Sequence, residues 1–161
     1  MLNYTLSMFW FNLLFISKVK ISKTTRMDMK ALDKALQGII AKRNLLQNLD
    51  YNNPKYDDLE EELHDLEDDF QDQFGEYLGG VLQKVHDQHC PDTDVLHPIA
   101  YIAKAYTVSS NHEFIVDFSD GVYVEMDKYP GKETKLAIAP NPMRVILNVD
   151  EEKQEIVWSA E

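Results

Sequence analysis

Four residues in this chain have the side chains and the spacing to hold a transition metal: His86, His89, Cys90 and His97. Imidazole and thiolate are the ligands that zinc prefers. His86 and His89 are three apart, so they share a helix face if the helix reaches that far. Cys90 and His97 belong to the loop that follows, where Asp92 and Asp94 add carboxylate oxygens. The pattern is neither H-E-x-x-H nor a paired C-x-x-C. The competing account is a polar helix end, with imidazoles well placed at the negative terminus of the helix dipole. The sequence favours that second account. It calls for no cofactor and no tightly held zinc, and a zinc centre on these four residues is the alternative.

A denser set of charges lies upstream. From Asp57 to Glu76 the chain is mostly acidic, and Leu59, Leu63, Leu66, Phe70 and Phe74 are threaded through it. These apolar residues are three or four apart, which puts them on one face of a helix. The leucines and Phe70 are therefore expected to be needed for the fold. Asp58, Glu61, Asp65, Asp68 and Asp72 follow one another along another side and are the candidate partner-binding residues. Carboxylates do general acid–base work only in a cleft or with a shifted pKa. A solvated helix face supplies neither. An acidic helix can instead meet a basic protein surface, or imitate the charge spacing of nucleic acid and fill a basic groove. Ser109, Ser110 and His112 share a turn, but no G-x-S-x-G elbow accompanies them.

The formal charge of the 161 residues is -12. Residues 1–26 carry Lys18, Lys20, Lys23 and Arg26 and no acid, so residues 27–161 hold 12 basic and 28 acidic side chains. Such a surface repels nucleic acid and anionic lipid and favours a basic partner. The length suits one domain that buries on the order of two thirds of its unfolded surface. One cysteine cannot form an internal disulfide, which fits a reducing compartment and a cytoplasmic location. Met8–Ile16 is strongly apolar, but a stable membrane span needs roughly twenty residues. A signal peptide places positive charge before its apolar run, whereas here Lys18 follows it. Residues 1–26 are expected to be a non-core extension upstream of a working start at Met27 or Met29. An anchor or an export signal is the alternative.

The elements that must position these side chains follow from the periodicity. A helix is expected over 28–49, where Met29, Leu32, Leu36, Ile39, Ile40, Leu46 and Leu49 keep helical spacing. Tyr51–Pro54 breaks it, and a second helix is expected over 54–86, with Asp57 and Asp58 at its positive end. The short connection makes an antiparallel hairpin, in which Lys30, Lys34, Lys42 and Arg43 can face the acids. Gly75, Gly79 and Gly80 point to a close helix–sheet contact or a kink.

After Cys90 the period becomes alternating. Strands are expected at 99–108, 113–118, 122–128, 134–139, 144–149 and 155–159, separated by turn signals. The run Ile99–Ala105 fits either a strand or a short helix. Faces match across 113–128 if Ser119, Asp120 and Gly121 form a three-residue loop that opposes Phe118 to Val122 and Val116 to Val124. Val116 and Val124 then point inward, and Asp117 and Tyr123 outward. Tyr101, Tyr106, Tyr123 and Tyr129 are expected on the outer sheet face. The sum is an α+β domain over 27–161, a helical hairpin packed on a five- or six-stranded antiparallel meander as a two-layer sandwich. The function that fits is a non-enzymatic protein-interaction module. A small metal-binding protein or metalloenzyme using His86, His89, Cys90 and His97 is the alternative, and a small-ligand binder with a pocket between helices and sheet is a further one.

Overall fold

The computed structural model describes residues 27–160, so the expectations for residues 1–26 lie outside the described residues. Two helices come first, α1 (Met29–Gln47) and α2 (Tyr56–His89). Six strands follow: β1 (Tyr106–Val108), β2 (Phe114–Val116), β3 (Val122–Tyr123), β4 (Thr134–Ala139), β5 (Arg144–Val149) and β6 (Lys153–Ser159). They form two antiparallel sheets, β1–β2 and β3–β4–β5–β6. The architecture is α+β, and among the described residues no helix is long and apolar enough to cross a membrane.

Asp28 caps α1, its carboxylate accepting the N–H groups of Lys30 and Ala31 at 3.1 Å. Leu32, Leu36, Ile39, Ile40 and Leu46 form the buried stripe. The helices pair as an antiparallel hairpin, with Lys42 bonded to Glu62 and Arg43 to Glu67. The apolar stripe of α2 is buried only from Phe70 onward. This corrects the expectation for its first half. Leu59 and Leu63 are half-buried and Leu66 is 37 % exposed, because α1 is the neighbour there and lies over only one flank.

Arg43 joins the helices to the rest of the chain. It donates to the carbonyls of Ile102 and Ala103 at 2.6 and 3.0 Å, and to Glu67 at 2.6 and 2.9 Å. Asn44 beside it exchanges hydrogen bonds with both backbone groups of Tyr106.

Strands β4 and β5 lie where the alternation places them. The run 99–108 resolves differently. Pro98–Tyr101 is a short 3-10 turn, and only Tyr106–Val108 is strand. The expected hairpin across Ser119–Gly121 does not form. β2 pairs back with β1, setting Val116 opposite Tyr106, while β3 pairs with β4, setting Val122 opposite Leu136. The cause is polar. Asn148 on β5 donates to the carbonyls of Asp117 and Asp120 at 3.0 and 2.9 Å, and the Asp117 carboxylate accepts the Ser119 N–H at 2.9 Å. These bonds hold residues 117–120 as a turn against the sheet. Gly121 has φ +121°, and a Cβ there would lie 2.7 Å from the Leu136 carbonyl oxygen, so only glycine fits.

The inward and outward assignments of that region survive the change of partner: Val116 and Val124 are buried, and Asp117 and Tyr123 are exposed. Tyr101 and Tyr106 are core residues rather than outer decoration. Their hydroxyls find buried partners, Tyr106 donating to the Ile138 carbonyl at 2.6 Å. All six residues of β5 are buried. One face of that strand is crossed by the 114–120 segment. Arg144 donates to the Phe114 carbonyl, and Gln154 of β6 donates to that of Val116. The opposite face, with Leu136, Ile138, Val145, Leu147 and Val149, is left for the helices to cover.

Near one end of the sheet, Glu155 accepts hydrogen bonds from Lys153, Tyr129 and Lys128. The bonds from Lys153 and then Tyr129 hold its carboxyl down to about 2. A carboxyl lowered on folding stabilises above its ordinary pKa, and that contribution disappears as pH falls from about 4.5 towards about 2. Acid titration of thermal stability should show a drop in this window that is smaller in Glu155→Gln. Val116→Asp should cost about 3 kcal/mol or more by burying an unpaired charge, and Tyr123→Ser far less, measured by urea unfolding.

Candidate functional site

The carboxy-terminal half of α2 and the loop after it hold the histidines and the cysteine. His86 is fully inside. Its Nδ1 lies 2.9 Å from the Thr93 carbonyl oxygen and its Nε2 2.9 Å from the Tyr101 hydroxyl. A carbonyl only accepts, so Nδ1 carries a proton, and in the neutral ring Nε2 then accepts from Tyr101. The Tyr101 oxygen in turn accepts the Leu96 N–H at 3.1 Å. This chain of bonds closes the loop 91–98 over the end of the helix, and desolvation raises the Tyr101 pKa.

Cys90 is buried next to this network, and desolvation pushes its thiol up to about 11. A thiol held protonated at neutral pH is a poor nucleophile and a poor ligand. His89 is half-buried, while His97, Asp92 and Asp94 are exposed. Among the described residues no group of three or more His, Cys, Asp and Glu side chains is placed to hold a metal ion. The structure thus brings His86 together with Tyr101 and Thr93, not with His89, Cys90 and His97 in one coordination shell. Ser109 accepts the Glu113 N–H, and His112 points outward in the same turn.

The acids of α2 divide into two sets. Glu62 and Glu67 face α1 and are paired with Lys42 and Arg43. Asp58, Glu61, Asp65, Asp68 and Asp72 are all exposed, and none is in an ion pair among the described residues. They lie in one row of roughly 21 Å along the helix. No residue from Tyr56 to Asp69 is buried.

One concave feature escaped the sequence reading. A groove of about 460 Å³ runs between α2 and residues 95–100. On the helix side it is lined by Gln71, Gly75 and Gly79, and on the other side by Val95, Leu96, His97, Pro98 and Ala100. The helix runs through the glycines unbroken. At Gly75 an added Cβ would lie 2.2 Å from the Gln71 Nε2, and at Gly79 it would meet nothing within 4 Å. Gln71 folds over Gly75, and its Oε1 is shielded from solvent without a hydrogen-bond partner. The signal for this groove lay in the spacing of Gln71, Gly75 and Gly79, each four residues from the last, a stripe with a polar start and no side chains after it.

No family model, curated protein or solved structure matches the chain. The geometry alone must carry the functional reading.

Tyr101→Phe removes the donor to His86 and the acceptor for Leu96 while keeping the ring. It should destabilise by about 1–3 kcal/mol, read from chemical denaturation, because the buried His86 Nε2 and the part-buried Leu96 N–H lose their partner. A change near zero would mean that water replaces the hydroxyl.

Proposed function

We propose that this protein is a non-enzymatic interaction module that binds a basic protein surface through the first half of α2. The observation that carries the reading is the row Asp58, Glu61, Asp65, Asp68 and Asp72, exposed and without a cationic partner among the described residues. The helix segment that bears it contributes little to the core, so its surface is available. Like charges at this spacing repel one another, and a cationic partner would relieve that repulsion. A cytoplasmic setting goes with the reading, supported by the free, buried Cys90.

The test is the triple reversal Asp58→Lys, Asp65→Lys and Asp72→Lys. Circular dichroism should be almost unchanged, because the three positions are exposed. Proteins captured by the unaltered chain at low salt should be lost with the variant. The capture should fade as the Debye length falls from ~10 Å at 0.1 M salt to ~3 Å at 1 M. A partner held equally by both forms at every salt concentration would sink the reading.

A further inference from the structure

The row of acids does not end at Asp72. Continued in the same alternating steps of three and four, it reaches Gly75 and then Gly79. Carboxylates and the helix side of the groove are thus one seam on one face of α2, roughly 30 Å long. The amino-terminal part of the seam is charged. The carboxy-terminal part has no side chains and is walled by Val95, Leu96 and Pro98.

We propose that the partner is a single peptide segment that lies along this seam, with basic residues over the acids and an apolar residue at one end seated in the groove against Gly79. The proposal rests on the acidic-face reading above and adds the second half of the site. Two observations carry it. Glycine is the poorest ordinary residue for a helix interior, yet nothing within the described chain uses the space above Gly79. Leu96, 48 % exposed at the groove wall, offers apolar surface that an incoming side chain would cover. The charge of the seam selects the occupant: a second copy of this chain would set acids against acids, whereas a basic segment complements them.

The experiment is a fluorescence-polarisation titration of the full chain with synthetic peptides. One probe is a lysine–alanine peptide long enough to cover the acids. The other is the same peptide with two leucines added, made once at each end. One of the leucine peptides should bind about tenfold more tightly than the plain peptide, the gain expected from burying an apolar side chain. Gly79→Leu should abolish that gain and leave binding of the plain peptide as it was. The substitution meets open space in a helix, so thermal unfolding should show a folded protein. Leu96→Asp, at an exposed wall position, should abolish the gain as well. The triple charge reversal should weaken every peptide. If the plain peptide binds and leucines add nothing, or if both groove variants keep the gain, the groove is not part of the site and only the acidic-face reading stands. If no peptide binds, both fall.

Discussion

The architecture is governed by a mismatch of lengths. A helix of 34 residues, such as α2, is roughly 51 Å long. The six-residue strands β4 and β5 are roughly 20 Å long. One helix cannot lie over so small a sheet along its whole length. The chain seats the carboxy-terminal part, where Phe70, Phe74, Leu78, Leu82 and Val85 are buried, and lets the amino-terminal part overhang. The composition of α2 follows that division. Upstream, the helix is acidic on every side but its leucine stripe; downstream, it has glycines, a buried histidine and a buried apolar stripe.

Polar side chains then decide how the remaining pieces are joined. Arg43 reaches from α1 to α2 and to the carbonyls of Ile102 and Ala103. Arg144 and Asn148 perform the same task on the far face of the sheet, tying down the 114–120 segment. Each satisfies backbone carbonyls that no strand partner reaches, and each thereby fixes a connection that hydrophobic burial alone leaves free. His86 does this for the loop 91–98.

That division explains what could be read from the residues. The helices and strands β4 and β5 were legible because their periodicity is local. The pairing of β2 and β3 was not. The matched faces of Phe114–Phe118 and Val122–Met126 are compatible with a hairpin, and the choice against it is made by Asn148, some thirty positions downstream. Tyr101 and Tyr106 look like surface aromatics until His86 and the Ile138 carbonyl are brought to their hydroxyls. The acidic row was legible as a row, since charge and helical spacing suffice. The groove beside Gly79 was not, because its wall is placed by the contact between Tyr101 and His86, fifteen residues apart and on different elements.

The overhang of α2 also has a consequence for motion. Segments open independently when few buried contacts hold them, and their opening free energy is then well below that of the whole protein. From Tyr56 to Asp69 the helix is held by two ion pairs and half-buried leucines, while from Phe70 onward it is part of the core. A single unbroken helix thus contains a sparsely held part and a part embedded in the core, and by that rule the first is expected to open at the lower free energy. The boundary between them falls at Phe70, next to Gln71, where the acidic row gives way to the groove. Rigidity in this molecule is distributed along one helix rather than between domains.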